Sequence, residues 1–401
     1  MASSKWKTWE EIEGLARTKR IVFWGASHWI ERSVERLGPV GEFIVDNNPN
    51  NQNIQFVGMP VKSPSSLTDD NPNIYVVITT SNYSSVIDEL HEMGFEMGDE
   101  FCCTPLLMGQ RASDKLRELD RRVLITSPQH YSDAKTGGGL YMFATKGRKL
   151  RKLITGKCRG LARAGDNYLL VDMLRGIRVL DTDFRETGEI ELSPNCEPHG
   201  VAFDQSTGHI FVAQPGRDSI GVYELASGKA VGEIFISEKW QVNKKDNHHI
   251  NDLCVVGDSL FVSMFSFSGN WMHEVYDGGV LEVSISKEKA VGMAVTDLWS
   301  PHSVSRIDGS LMVLDSMRGE LVSMNWKRLG QFNTFVRGLD FDGRYYYVGM
   351  SGFRHAEKLS SMARSIGVDA GFAVFDPQTC LTRTFVIDEF EGVHSLLVIK
   401  D

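Results

Sequence analysis

The chain has 401 residues, of which 24% are charged and 10% aromatic, with a net charge of −9; such a composition excludes a disordered chain and allows one or two globular domains. The charge is not gathered into a basic block, so neither nucleic acid nor a membrane surface is an expected partner. No stretch reaches the roughly 18 apolar residues that cross a bilayer, and the N-terminal segment has no apolar signal core, so a cytoplasmic protein is expected.

Residues 20–110 alternate strand and helix. "RIVFWGAS" (20–27) predicts an apolar strand ending in a glycine turn, "HWIERSVERLG" (28–38) a helix closed by glycine, and "GEFIVDNNP" (41–49) a second strand ending in Asp46. A third buried strand, "NIYVVITTS" (73–81), precedes the helix "NYSSVIDELHEMG" (82–94). Parallel α/β layering follows from this order. We therefore expect an α/β domain over 1–112 and a charged linker over 113–120.

From 121 onward the pattern becomes short strands rich in Val, Ile, Phe and Tyr, punctuated by D-G, S-G and G-D turns. Related starts recur at Arg159, His199, Asn251, His302, Arg337 and His394, about 35 to 57 residues apart, which is the scale of four-stranded propeller blades. Six starts predict six blades over 121–401. The last start lacks a second strand, and "RRVLITS" (121–127) is the expected partner, so that the N- and C-terminal strands of the domain close the ring.

Inner strands of a propeller line its axis, so these six residues are expected to face one another. Histidine falls on every second blade. Three imidazoles in that alternation could hold a divalent metal, Zn²⁺ by preference and Fe²⁺ or Mn²⁺ otherwise, on His199, His302 and His394. Arg159 and Arg337 between them call for a small anionic substrate, sugar- or amino-acid-derived. His249 shares a strand face with Asn251 and is a candidate fourth ligand or general base, and Asn251 a substrate contact. Arg175, Arg318 and Arg354 recur after the second strands, either as a further anion-binding layer or as solvated turn residues. His130 and His355 are additional candidates at predicted strand ends. Against this stands the plainer reading, in which H-G and R-G serve only the packing of neighbouring blades.

The segment "EPHGVAFDQSTGHIFVAQPGRDSIGVYEL" (197–225) resembles an NHL repeat, and roughly 120–401 resembles the six-bladed NHL and gluconolactonase-like superfamily. That resemblance implies metal-dependent lyase or hydrolase chemistry in the channel. The His and Arg ring is similar to that of the peptide-amidating lyase, although no position answers to its tyrosine. A Ca²⁺-dependent lactone hydrolase is the alternative within the superfamily, and acidic ligands for it are missing. Residues 18–107, through "IVFWGAS", "VDNNP" and "GMPVKSPSSL", resemble the Rossmann-like domain of bacterial sugar acetyltransferases, which implies a nucleotide-sugar ligand with Asp46 on the ribose. A non-catalytic scaffold carrying such a binding domain is the competing function. NAD is not expected, because "GASHWI" (25–30) lacks the glycines of the dinucleotide fingerprint. The six cysteines lack metal-type spacing and are expected to be reduced. Nothing in the sequence opposes a homo-oligomer.

Overall fold

The computed structural model describes residues 7–68, 73–128, 138–325, 327–352 and 365–399. It divides into two compact units, Met1–Arg117 and Glu118–Asp401. The helix Pro105–Arg117 runs through the first half of the expected linker, so the boundary falls at its end.

The first unit is a six-stranded mixed sheet, in the order Gln55–Phe56, Met59–Lys62, Gly41–Val45, Arg20–Trp24, Ile74–Ile78 and Phe101–Cys103. All its pairings are parallel except the hairpin of the first two strands. Central strands buried on both faces read as continuous apolar runs, and Ile74–Ile78 is buried at every position. Between the strands run the helices His28–Leu37 and Tyr83–Glu92. Ser27 caps the first of these, accepting from the Trp29 N–H at 3.2 Å.

The second unit is a six-bladed β-propeller of six four-stranded antiparallel sheets. Their inner strands are Cys158–Ala164, Val201–Asp204, Ile250–Val256, His302–Ile307, Phe335–Phe341 and Ser395–Ile399, which we take as blades 1 to 6. In blade 6 the inner strand pairs with Arg122–Ser127, Leu396 opposite Ile125 and Val398 opposite Val123. Turn chemistry sets the registers. Between Ile307 and Ser310, for instance, Asp308 and Gly309 both take positive φ, 49° and 79°, the combination that matches a two-residue turn to strand twist. Blades pack face to face: Ala202, Phe211 and Val222 of blade 2 share a core with Ile250, Leu253 and Val262 of blade 3.

A repeated irregularity positions the channel residues. The register slips between Cys158 and Leu161, Ile250 and Leu253, His302 and Ser305, and Val336 and Leu339. Bulges of this kind re-aim side chains, and here they fall at four of the six recurring starts, Arg159, Asn251, His302 and Arg337. The glycine after three of the starts, Gly160, Gly200 and Gly338, lets the next blade approach. A Cβ on Gly160 would lie 2.4 Å from the His199 carbonyl oxygen, and one on Gly200 would lie 2.5 Å from Asp252 Oδ1. Hydrogen bonds cross the same seams: Gly200 N–H to the Asn251 carbonyl at 2.7 Å, Ser303 N–H to Asp252 Oδ2 at 2.7 Å and Gly338 N–H to Ser303 Oγ at 2.7 Å. The glycines of H-G and R-G thus serve blade packing, as the plainer reading has it.

Candidate active site at the channel mouth

Four imidazoles converge on the channel. The ring of His199 lies 5.2 Å from that of His249 and 6.5 Å from that of His394, centroid to centroid. His302 reaches the same cluster through Phe265, whose ring is 5.3 Å from His302 and 4.4 Å from His249. His199 Nδ1–H donates to Asn251 Oδ1 at 2.9 Å, and the Asn251 amide donates to the His249 carbonyl at 3.0 Å. His302 Nδ1–H donates to the Ser300 carbonyl at 2.9 Å. Each of these donations fixes a tautomer and leaves Nε2 as the ring's remaining polar atom.

Burial dominates the electrostatics here. It pushes the pKa of His199 well below that of a free imidazole, and the charge of Arg159 acts in the same direction. His302 is also held well below, first by burial and then by Arg337. Both rings are therefore neutral near pH 7. Asp252, buried under the same seam, has its carboxyl pushed up by burial, opposed by Ser303 and by the charge of Arg337.

His249 is gripped by one carboxylate. Asp246 Oδ1 accepts from its backbone N–H at 2.9 Å and Oδ2 from its Nδ1–H at 2.5 Å. The turn before it is pinned by Asp218, which accepts from the Asn247 and His248 N–H groups at 2.9 Å each. His249 itself has φ 50°, a left-handed conformation that a non-glycine side chain adopts only when its surroundings enforce it. Trp271 lies against the His249 ring, 4.4 Å away and tilted by 45°, and donates its indole N–H to the Asp246 carbonyl at 2.9 Å.

A cavity of about 230 Å³ opens over these groups, lined by His249, Arg337, His394, Phe265, Trp271, Tyr276, Phe335 and Glu391 among others. Arg337 Nη1 donates to His394 Nε2 at 2.9 Å, and its guanidinium carbon lies 4.8 Å above the Phe335 ring. Phe265, Trp271 and Tyr276 come from the segment after the second strand of blade 3, Ser259–Met264. Antiparallel pairing brings the ends of second strands beside the starts of first strands, Ile250 facing Met264, so both sets of loops share this mouth.

These contacts bear on the expected three-histidine metal site. His199 and His302 keep Nε2 for a ligand, whereas His394 has its Nε2 engaged by a guanidinium. The three do not form a ready ligand set in this arrangement. Among the described residues no group of three or more His, Cys, Asp or Glu has metal-holding proximity.

Other expected residues lie elsewhere. Arg175 is bound to Glu186 at 2.6 Å and also to Glu189. Arg318 reaches Asp315 at 3.0 Å and Asp297 at 3.3 Å. Neither lines the cavity; each is held in ion pairs by neighbouring carboxylates. Arg354, His130 and His355 fall outside the described residues. His248 is buried between Ser237 Oγ at 2.7 Å and the Ser266 carbonyl at 2.9 Å, a structural role. In the first unit both carboxylate oxygens of Asp46 accept backbone N–H groups, of Ala26 and of Asn48, at 2.8 Å; a ribose would have to share them. Asp246, Trp271, Tyr276, Phe335 and Glu391 were not singled out from sequence. The spacing D-x-x-H at 246–249 was the one available signal, since a carboxylate three residues before a histidine can grip both its N–H groups.

Fold and site define a six-bladed propeller with a His- and Arg-lined channel mouth. A family profile described as a domain of unknown function, DUF4915, matches residues 233–393, from the last strand of blade 2 to the start of blade 6. No curated protein matches. Among solved structures, a chain of a nidogen/laminin complex is 11% identical, covers 70% of this chain and 98% of its own, and has a TM-score of 0.50. A protein of unknown function from Bacteroides caccae is 13% identical, covering 71% and 100%, with a TM-score of 0.49. A structural-genomics protein with a provisional gluconolactonase name is 15% identical over 58% of this chain and 79% of its own, at 0.42. Identities this low show the fold alone.

Proposed function

We propose that the propeller is an enzyme of lyase or hydrolase type acting on a small anionic substrate at the channel mouth, with His249 as general base and Arg337 as the anion anchor. The observation that carries this reading is the Asp246 carboxylate on His249 Nδ1 at 2.5 Å, inside a cavity that also presents Arg337. A base oriented by a carboxylate and backed by aromatic walls is the arrangement that proton transfer needs. Both reaction types begin with removal of a proton from an O–H group. In a hydrolase His249 Nε2 takes it from water as the oxygen adds to an acyl carbon, and the displaced alkoxide then recovers it. In a lyase the proton comes from a substrate hydroxyl as C=O forms and the neighbouring bond breaks, and the leaving atom recovers it. Arg159, whose charge is felt at both His199 and His302, adds positive potential around those two rings.

Calorimetric titration with lactate, gluconate and inorganic phosphate tests the anchor: at least one binds wild type and none binds Arg337→Gln. Equal binding by both proteins refutes it.

A divalent ion on His199, His302 and His394 is the second reading, favoured by the open Nε2 atoms of the two neutral histidines and requiring Arg337 to release His394. Metal analysis of purified protein decides it, stoichiometric zinc, iron or manganese being the supporting result. For the first unit, the parallel strand order around the Gly25 turn supports a Rossmann-like reading. The six free cysteines support a reducing, cytoplasmic setting.

A further inference from the structure

The cavity has a polar part and an aromatic part, with serine, proline and glycine residues completing its lining. Phe265 and Trp271 stand 6.0 Å apart at 83°, and Phe335 stands 5.6 Å from His302 at 75°. These are edge-to-face arrangements, the geometry in which aromatic rings attract a further ring, and the Arg337 guanidinium lies over Phe335 at 4.8 Å. Phe265 and Phe335 are 8% and 7% exposed, so the surface each retains is small, and both line the cavity together with Trp271. The polar side consists of Arg337 with His394, and of Glu391. A carboxylate suits the guanidinium, and Glu391 asks for a hydrogen-bond donor on the same ligand. Small sugar acids would satisfy the polar side and leave the aromatic wall wet.

Resting on the proposed anion-binding role of Arg337, we propose that the natural substrate class is an aromatic carboxylic acid bearing a hydroxyl or amino donor, of the type of an aromatic α-hydroxy or α-amino acid. Its carboxylate pairs with Arg337, its donor faces Glu391, and its ring enters the space between Phe265, Trp271 and Phe335, over the imidazole of His249. This also places the substrate's α-substituent beside the base.

The test compares phenyllactate, cyclohexyllactate, phenylacetate and lactate by calorimetry with the full chain. Phenyllactate is expected to bind at least about tenfold more tightly than lactate, since burial of a ring and its edge-to-face pairing add to the anionic contact. It is also expected to exceed cyclohexyllactate, which lacks the flat face, and phenylacetate, which lacks the donor. Phe335→Leu is expected to weaken phenyllactate by a larger factor than lactate, the ratio of the two affinities being the readout because the Phe335 ring also supports Arg337. Trp271→Leu gives the same readout should Phe335→Leu fail to fold. Equal, Arg337-dependent binding of lactate and phenyllactate overturns the aromatic assignment and leaves the anionic site standing. Absence of Arg337-dependent binding by any of the four overturns both.

Discussion

Arg337 Nη1 and His394 Nε2 are joined by a 2.9 Å hydrogen bond across the channel mouth. The guanidinium can only donate, so the imidazole nitrogen accepts, and His394 carries its proton on Nδ1. Two residues from adjacent blades, 57 positions apart in the chain, are in this way locked as one polar unit. Replacing His394 by Gln retains an acceptor and is expected to keep anion binding within about threefold. Replacing it by Leu removes the acceptor and is expected to weaken binding about tenfold, the scale of a lost charge-assisted bond. Titration with inorganic phosphate or lactate reads both.

The carboxylate of Asp246 controls the backbone and the ring of His249 together. Asp246→Asn keeps the size but replaces one accepting oxygen with a donor, which turns the wrong group towards Nδ1–H. We expect turnover, once a substrate is in hand, to fall about 10² to 10⁴-fold with KM nearly unchanged, the range typical of a disrupted general base. A fall in KM-dependent terms alone would show Asp246 to be only a scaffold.

Stability should depend on the neutral histidines. The folded pKa of His199 and of His302 lies well below the ordinary 6.5. The unfolded chain therefore binds more protons below that value, so their contribution is complete above pH 6.5 and is lost as the pH falls towards the folded values. Asp315 acts oppositely: burial raises its pKa to about 6 from 3.8, giving a contribution that is full below 3.8 and lost as pH rises through 6. A difference measurement isolates the histidine. The urea midpoint of His302→Gln should fall less than that of wild type between pH 7 and pH 5, by up to about 1.4 kcal/mol per pH unit at the protein's own denaturant slope.

The inter-blade seams predict a purely structural effect. Gly200→Ala would press a methyl against Asp252 Oδ1 at 2.5 Å and the Asn251 carbonyl oxygen at 2.7 Å. We expect a loss of about 1 to 3 kcal/mol in chemical unfolding. Gly208→Ala offers no comparable clash, since nothing lies near its Cβ, and its positive φ of 73° alone should cost less than the seam variant.

Sequence periodicity was enough to count the blades and to pair 122–127 with 395–399, because each blade repeats one strand–turn–strand unit and the sixth was visibly incomplete. The six ring positions were legible for the same reason. What the ring does was less so. Alternating histidines suggested symmetry, but Arg337 breaks it by taking His394, and no pattern of spacing reveals which nitrogen a neighbour will occupy. His249 was found through strand alternation, yet its partner and its aromatic cover lie in turns: Asp246 in the loop before blade 3, Trp271 and Tyr276 in the loop after its second strand. These loops differ from blade to blade, so their residues carry no repeating signal. Arg175 and Arg318 recurred in sequence because the turns recur, and carboxylates on nearby strands and turns hold them there.

The most direct test of the central claim is an anomalous-difference map from crystals grown with p-bromophenyllactate, whose bromine marks the ring while its carboxylate meets the anchor and its hydroxyl supplies the donor. The account predicts a bromine peak among Phe265, Trp271 and Phe335 with the carboxylate on the guanidinium of Arg337 and the ring beside His249. An empty cavity at saturating concentration, or a ligand seated instead at the far mouth beside Arg163 and Arg306, would contradict it.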